Sequence, residues 1–288
     1  MVVLVTGANG QLGQALQFIA PKHPDVQFVF CDSSQLDITN LNNIKRLFEQ
    51  YKPDFCINAA AYTAVDKAES EPEKAHLINV IGAKNLAEVS KEFDTVLLHI
   101  STDFVFDGTK DSPYTEVDVP NPTGVYGQTK LDGEKAIQET WEKHFIIRTS
   151  WVYSQFGNNF MKTMLRLASE RDTLSVVNDQ IGTPTNAVDL AQVLIQIIKF
   201  CNAEFISASL FGIYNFSNEG QCSWYDFAKK IFEFKNITIN LEPIPTTGYP
   251  TPAKRPAYSV LDKAKLKSTF GVEVNSLEMS LKTHELLK

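Results

Sequence analysis

The first thirteen residues constrain the fold of this chain more than any other stretch. Residues 2–5 form a short apolar run rich in valine, which predicts a strand buried on both faces of a parallel sheet. Directly after it, Gly7, Gly10 and Gly13 stand at intervals of three residues, and a helical pattern begins. Glycines at such a strand-to-helix turn let the backbone approach a pyrophosphate, which then lies at the helix N-terminus. The stretch therefore predicts a dinucleotide-binding turn at the start of an α/β sheet.

Further apolar runs alternate with helical patterns through the first half of the chain. The strands that these runs predict span residues 26–31, 55–58, 95–100 and 144–148. This alternation implies a doubly wound parallel sheet of the Rossmann type with right-handed crossovers. We therefore assign residues 1–150 to a dinucleotide-binding Rossmann domain, with a helix and a strand near 185–216 returning to its sheet.

The second half of the chain has a different pattern. Residues 151–288 are assigned mainly to a smaller domain of mixed helices and strands that binds substrate. From residue 223 onward, the pattern predicts one helix and then a proline-rich loop over residues 243–256. A long irregular segment in a compact enzyme is usually a binding loop.

Composition excludes several classes of partner. A net charge of −7 argues against nucleic acid as the principal partner, and 43% apolar residues suffice for a large core. The four cysteines are widely spaced and form no Cys-x-x-Cys pair, as expected of reduced thiols. No run approaches the ~18 apolar residues of a membrane span, and the first apolar run is too short for a signal peptide. We expect a soluble, cytoplasmic protein without a membrane partner.

The end of the second predicted strand bears on the choice of cofactor. Asp32 stands there, and a carboxylate in this place commonly accepts hydrogen bonds from the adenosine ribose. A carboxylate repels a 2′-phosphate and so favours NADH, whereas the hydroxyls of Ser33 and Ser34 can donate to such a phosphate. The residues alone leave this preference open. Just beyond, Asp37 and Ile38 are predicted to contact the edge of the adenine.

Small residues follow the third predicted strand and would let a cofactor lie against the backbone. With the glycine turn and the helix described next, they complete the predicted cofactor site. Its residues are Gly7, Asn9, Gly10, Gln11, Leu12, Gly13, Asp32, Ser33, Asp37, Ile38, Ala59, Ala60, Ala61, Tyr62, Thr63, Tyr126 and Lys130.

The predicted catalytic residues are Thr102, Tyr126 and Lys130. On a helix, residues four apart lie on one face, so Tyr126 and Lys130 would be neighbours. An ammonium within about 4–6 Å lowers the pKa of a phenol from its ordinary ~10 towards neutrality. Thr102 follows the fourth strand, and ligands of open parallel sheets bind beyond the carboxyl ends of the strands. The spacing by itself also fits an aromatic residue and a lysine on a half-buried helix.

The glycine turn and the Tyr-x-x-x-Lys pattern in one chain resemble the extended short-chain dehydrogenase/reductases, most of which act on nucleotide-linked sugars. Within that superfamily the chain is similar to the dTDP-4-dehydrorhamnose reductase family. The resembling segments span residues 5–13, 58–69, 101–108, 126–130, 148–153, 179–185 and 255–262.

This resemblance implies a role for each matched residue. Tyr126 would donate a proton to the C4 oxygen of the sugar, and Lys130 would hold the nicotinamide ribose. Thr102 would hydrogen-bond the same oxygen. Asp103 and Trp151 would contact the sugar. The predicted substrate site therefore contains Thr102, Asp103, Tyr126 and Trp151.

Arg255 completes that site, because a cation in a proline-rich loop of an acidic chain suits a diphosphate. The implied reaction reduces dTDP-4-dehydro-L-rhamnose to dTDP-L-rhamnose, in nucleotide-sugar and cell-surface polysaccharide biosynthesis. The implied hydride donor is NADPH, with NADH as the other candidate, and the partner is a dTDP-linked 4-keto-6-deoxy sugar.

The chain departs from the family at its first helix. Some members carry a glutamate there as part of a magnesium-linked dimer face, whereas this helix reads Gln14-Ala15-Leu16-Gln17. No residue is therefore predicted to bind a metal, and both Mg²⁺ and a homodimer stay open.

Other functions of the same superfamily remain alternatives. A 4,6-dehydratase needs an additional acid and base, and Phe104 cannot exchange a proton where dehydratases carry glutamate. A 4-epimerase would retain NAD without net turnover. A non-catalytic, reductase-like subunit, such as the regulatory subunit of methionine adenosyltransferase, is the alternative from another class.

Overall fold

The computed structural model describes residues 1–203 and 208–283. Its strands are β1 (Val2–Thr6), β2 (Gln27–Cys31), β3 (Phe55–Asn58), β4 (Val96–Thr102), β5 (His144–Thr149), β6 (Val152–Tyr153), β7 (Thr173–Val177), β8 (Ile181–Gly182), β9 (Thr185–Asn186), β10 (Gly212–Asn215), β11 (Cys222–Ser223) and β12 (Asn240–Ile244). Its α-helices are α1 (Gln11–Ile19), α2 (Leu41–Tyr51), α3 (Val65–Ala68), α4 (Pro72–His76), α5 (Gly82–Glu92), α6 (Val125–Thr140), α7 (Phe160–Glu170), α8 (Ala187–Ala203), α9 (Trp224–Lys235), α10 (Ala264–Phe270) and α11 (Leu277–Thr283). One turn of π-helix, Leu77–Ile81, joins α4 to α5.

A parallel sheet of six strands forms the centre of the molecule, in the order β2-β1-β3-β4-β5-β10. Val3, Leu4 and Val5 of β1 are fully buried, because helices cover both faces of the sheet. Residues of α1 and α8 belong to the apolar cluster on one face, and residues of α2, α5 and α6 to the cluster on the other. The predicted α/β class with a doubly wound parallel sheet is confirmed. Because β1 lies between β2 and β3, a crevice opens beyond the carboxyl ends of β1 and β3.

The chain returns to this sheet after leaving it. Helix α8 packs on the sheet, and β10 pairs with β5 through Gly212 and Phe145 as the sixth strand. Residues 204–207, within the predicted returning segment, lie outside the described residues. Within the described ranges, no helix is both long and apolar enough to cross a membrane.

The part of the chain after β5 also has an apolar cluster of its own. Tyr153, Met161, Phe227 and Ile231 are buried there, between α7, α9 and the parallel pair β7 and β12. The division into two domains at residue 150 stays a prediction. The last residues of the second predicted domain, 284–288, lie outside the described part of the chain.

The prediction for the tail was wrong in two respects. The tail contains α10 and α11 in addition to α9. Helices α10 and α11 have seven residues each and are too short to show a clear periodicity. Pro243 lies within β12, which among the described residues pairs only with β7, so the irregular loop begins after Ile244. Proline is tolerated on such an edge strand because the strand's outer side needs no amide donor.

Candidate active site

A cavity of about 1470 Å³ lies beyond the carboxyl ends of the sheet. It extends from the glycine turn after β1, past the end of β4 and the start of α6, to α7 and β7. Most of the residues predicted for the cofactor and the substrate therefore line one continuous space. The exceptions are Gly13 and Tyr62.

The glycine turn brings the start of α1 against the end of β3. Gly7 has a φ of +66°, and a Cβ there would lie 2.8 Å from the backbone of Ala59 and Ala60. A Cβ on Gly13 would lie 2.4 Å from the carbonyl oxygen of Gly7, so Gly13 permits close packing although it does not line the cavity. Within the described part of the chain, no side chain caps the helix at Gly10, which leaves the first amide groups of α1 available to an anion. This turn fits a dinucleotide pyrophosphate.

Asp32 lies at the rim of the cavity and is held in place by its neighbours. Its carboxylate accepts hydrogen bonds from the Ser34 hydroxyl at 2.6 Å and amide at 2.9 Å, and from the Asn9 side chain at 3.0 Å. These contacts, led by the Ser34 hydroxyl, hold the pKa of Asp32 below its ordinary value. Ser33, Asp37 and Ile38 line the same part of the cavity.

The small residues after β3 line the cavity next to the turn: Ala59, Ala60, Ala61 and Thr63. Tyr62 does not. Its hydroxyl donates to Glu71 at 3.0 Å, and its amide donates to the Asn79 side chain at 2.9 Å. The side chain of Tyr62 thus binds the segment before α4 instead of lining the cofactor space.

Thr102 and Tyr126 line the cavity and are hydrogen-bonded to each other. The Thr102 hydroxyl donates to Asp103 at 3.0 Å and accepts from the Phe104 amide at 3.2 Å. Helix α6 approaches this turn closely, because a Cβ on Gly127 would lie 2.1 Å from the carbonyl oxygen of Phe104. Burial raises the pKa of Tyr126 to about 12, and the Asp103 carboxylate adds to the rise while a hydrogen bond with Thr102 opposes it.

Lys130 is buried one turn further along α6, with 2% of its surface exposed. Its Nζ donates to the carbonyl oxygen of Ile100 at 2.7 Å and lies 3.1 Å from Nε2 of His99. Burial lowers the pKa of Lys130 to about 8, although Glu134 favours the charged form. The expected lowering of the Tyr126 pKa by Lys130 is not found, because the amine is engaged with the backbone of β4.

Asp103 is the buried carboxyl group of the site, with 1% of its surface exposed. Burial raises its pKa to about 6, against the opposing hydrogen bonds of Ser259 and Thr102. Asp103 lines the cavity beside Thr102 and Tyr126. A carboxyl group with this pKa is available as a hydrogen-bond donor in mildly acidic solution and as an acceptor above it.

Trp151 and Arg255 also line the cavity. The Trp151 ring stacks on Trp224 with ring centroids 3.5 Å apart and planes at 9°. Arg255 Nη2 pairs with Asp66 of α3 at 2.8 Å, and its guanidinium lies 5.7 Å from the Phe104 ring centroid. The contact between Arg255 and Asp66 ties the loop after β12 to the segment after β3.

Several cavity residues were missed from the sequence. Asp66 and Phe104 lie within segments that carried the resemblance, so that signal was available for them. Trp224 had none, because its contact with Trp151 depends on the packing of α9. Helix α7 and the residues that flank it also contribute to the lining, through Asn158, Asn159, Phe160, Thr163, Met164, Leu167 and Arg171.

The sheet order, the glycine turn and the helix that carries Tyr126 and Lys130 define the class of protein. The chain is a nucleotide-binding α/β protein of the short-chain dehydrogenase/reductase type.

Comparison with known proteins identifies the family. The family model described as the RmlD substrate binding domain matches residues 1–285. The chain is 44% identical over 287 residues to a dTDP-4-dehydrorhamnose reductase of Aggregatibacter actinomycetemcomitans, covering 97% of each chain. The crystal structure of a dTDP-4-dehydrorhamnose reductase from Clostridium acetobutylicum superposes with a TM-score of 0.92 at 43% identity, covering 99% of this chain and 98% of that one.

A second structure, the dTDP-4-dehydrorhamnose reductase of Bacillus anthracis in complex with NADP, gives a TM-score of 0.91 at 41% identity and covers 98% of both chains. The chain belongs to the dTDP-4-dehydrorhamnose reductase family.

Proposed function

We propose that the protein reduces the C4 keto group of dTDP-4-dehydro-L-rhamnose to form dTDP-L-rhamnose. The observation that carries this proposal is that Thr102, Tyr126 and Lys130 line the same cavity as the glycine turn. The family supplies the identity of the sugar, since its curated members are named for this reduction. A dinucleotide bound along the turn would reach the same space as the sugar.

Three side chains divide the work at the reacting carbonyl. NADPH, when bound, supplies the hydride that adds to C4. The Tyr126 hydroxyl donates the proton that the developing alkoxide needs, and the Thr102 hydroxyl holds the oxygen in place. Lys130 binds the nicotinamide ribose and lowers the pKa of Tyr126 once this ribose holds it as an ammonium.

Substrate binding involves residues on both sides of the cavity. Trp151 presents a ring held by Trp224, and Asp103 presents its carboxyl group beside the reacting centre. Arg255 binds the diphosphate, for which it leaves or shares its ion pair with Asp66. We also propose that residues 1–150 mainly bind the cofactor and that residues from 151 onward mainly bind the sugar nucleotide.

Both reduced cofactors serve as hydride donors in this proposal, and NADPH is the preferred one. The Bacillus anthracis relative was crystallised with NADP, which supports this choice. Asp32 opposes a 2′-phosphate, whereas Ser33 at the rim offers a hydroxyl to it.

Oxidation of NADPH in the presence of dTDP-4-dehydro-L-rhamnose tests the reaction directly. The Tyr126→Phe variant should lower kcat by about 10²–10⁴-fold, the usual contribution of a general acid, while NADPH binding changes little. Tyr62→Phe is the matched control, because Tyr62 lies outside the cavity lining. If the folded protein failed to oxidise NADPH with every nucleotide-linked 4-keto sugar tested, the proposal would be refuted. That result would favour a non-catalytic binding protein instead.

A further inference from the structure

A line of buried polar side chains extends behind Lys130, and the proposed mechanism does not use it. His99 of β4 lies 3.1 Å from Lys130 Nζ through Nε2, and its Nδ1 lies 2.9 Å from Nδ2 of Asn58. The Thr6 hydroxyl lies 2.7 Å from Oδ1 of Asn58. His99, Asn58 and Thr6 are each 1% exposed or less. Water therefore cannot adjust the hydrogen bonds of this line, and its donors and acceptors must match one another.

The orientation of the Asn58 amide follows from a backbone group that can only donate. The Ala60 amide lies 3.2 Å from Thr6 Oγ1 and 3.2 Å from Asn58 Oδ1. Because Thr6 Oγ1 accepts this N–H, its own hydrogen is directed to Asn58 Oδ1. A flipped Asn58 would place its NH₂ group against the Ala60 amide. The Nδ2 group of Asn58 therefore faces His99.

This orientation decides where His99 carries its proton. Nδ2 of Asn58 donates to Nδ1 of His99, so a neutral imidazole carries its hydrogen on Nε2. His99 is neutral, because burial holds its pKa well below the ordinary value. The Nε2–H group then points to Nζ of Lys130, which itself donates to the Ile100 carbonyl. Only an uncharged amine has a lone pair to accept that hydrogen, whereas an ammonium has none.

We propose that His99 is a positioning residue that favours the neutral amine of Lys130 over the ammonium until the nicotinamide ribose reaches it. The identity of that ligand rests on the proposed function. An ammonium at Nζ would face the Nε2–H group across 3.1 Å, or it would require His99 to move its hydrogen to Nδ1, against the NH₂ of Asn58. Hydroxyl oxygens of a ribose give the ammonium new acceptors, so the lysine takes up a proton as the ligand binds.

Other ionisable groups surround Lys130. Glu134, one turn further along α6, favours the ammonium, but its carboxylate already accepts from Arg148 of β5 at 2.6 and 3.0 Å and from Ser101 of β4 at 2.5 Å. His144 of β5 also lowers the pKa of His99, since a charge on one imidazole disfavours a charge on the other. Near the other end of the site stand Tyr126 on α6 and Asp103 after β4. Burial of the amine lowers its pKa to about 8, so the neutral amine predominates above that pH, and the direction of this shift is the one that the hydrogen bonds favour.

Proton uptake on NADPH binding tests the proposal, measured by calorimetry at about pH 9 in two buffers with different ionisation enthalpies. The wild-type protein should take up close to one proton per NADPH. His99→Gln replaces the obligatory donor by an amide that can turn its oxygen to the ammonium, so uptake should fall to less than about half. Asn58→Asp should have the same effect without altering either His99 or Lys130, because an aspartate oxygen moves the imidazole hydrogen to Nδ1.

His144→Gln is the matched control, a second buried histidine of the same sheet whose Nδ1 contacts the Trp141 carbonyl instead of Lys130. Its uptake should equal that of the wild type. NADPH binding to the wild type without proton uptake would overturn the inference, as would full uptake in both His99→Gln and Asn58→Asp. Failure of the wild type to bind NADPH at all would overturn the proposed function itself, and the inference with it.

Discussion

Replacing Lys130 with methionine should change the pH dependence of stability in a way that can be calculated from the structure. Burial lowers the pKa of Lys130 to about 8 in the folded protein, whereas a lysine in an unfolded chain titrates near ~10.4. Between these values the unfolded chain binds more protons than the folded one. The free energy of unfolding of the wild type therefore contains a penalty that is complete below about pH 8 and disappears as the pH rises towards ~10.4.

The size of this penalty follows from the difference between the two pKa values. Each pKa unit corresponds to about 1.4 kcal/mol, so the burial of a charged Lys130 costs about 3 kcal/mol at neutral pH. Methionine has a similar length and no charge. The variant loses the contacts of Lys130 to Ile100 and His99, and this loss destabilises it by about the same amount at every pH. The pH-dependent part of the change in unfolding free energy can therefore be separated from this constant part.

Urea unfolding of the cofactor-free protein, followed by tryptophan fluorescence, measures this effect. The free energy of unfolding of Lys130→Met minus that of the wild type should be larger at about pH 7 than at about pH 10.5, by about 3 kcal/mol. Lys135→Met supplies the control, because Lys135 lies on the same helix with 57% of its side chain exposed. If the difference for Lys130→Met were the same at both pH values, the ionisation of Lys130 would not be linked to folding and the reasoning would fail.

Three further substitutions test the site. Asp32→Ala should raise the efficiency with NADPH relative to NADH, since it removes a carboxylate whose pKa is held low; an unchanged ratio of kcat/KM values would exclude Asp32 as the group that reads the ribose. Because the native pKa of Asp103 lies near 6, the wild type should lose about 3 kcal/mol of its free energy of unfolding as the pH rises from about 4 to about 6. Asp103→Asn should remove this loss. The prediction would be contradicted if the free energies of unfolding of the two proteins changed in parallel across that pH range. Arg255→Ala should raise KM for the dTDP-sugar about tenfold or more, as expected for the loss of a charge-assisted contact, while KM for NADPH stays constant; an equal rise in both would show that Arg255 does not read the diphosphate.

The parts of the site that could be predicted from sequence are those set by local geometry. The Gly7 turn needs a positive φ and a backbone without Cβ atoms, and both requirements are visible in the residue types. The spacing of Tyr126 and Lys130 places them on one face of any helix, and α6 contains both. The parallel sheet followed from the alternation of short apolar runs with helical patterns.

The environment of those side chains could not be predicted, because distant segments provide it. Nothing in the sequence near Lys130 shows that its amine would contact Ile100 and His99 of β4. The stacking of Trp151 on Trp224 likewise depends on how α9 packs. For this reason the residue types of the site were accessible from the sequence, whereas the direction of the Tyr126 pKa shift was not.

One physical cause explains the three shifted pKa values at the centre of the cavity. Burial raises the pKa of Asp103 to about 6, lowers that of Lys130 to about 8 and raises that of Tyr126 to about 12, and each change disfavours the charged form. A site of this kind contains no preformed ammonium–phenolate pair. A ligand that brings hydroxyl groups to Lys130 supplies acceptors for an ammonium, and only then can the lysine lower the pKa of Tyr126. The acid that protonates the alkoxide is therefore completed by cofactor binding, so Tyr126 becomes an efficient donor only when a hydride source is present.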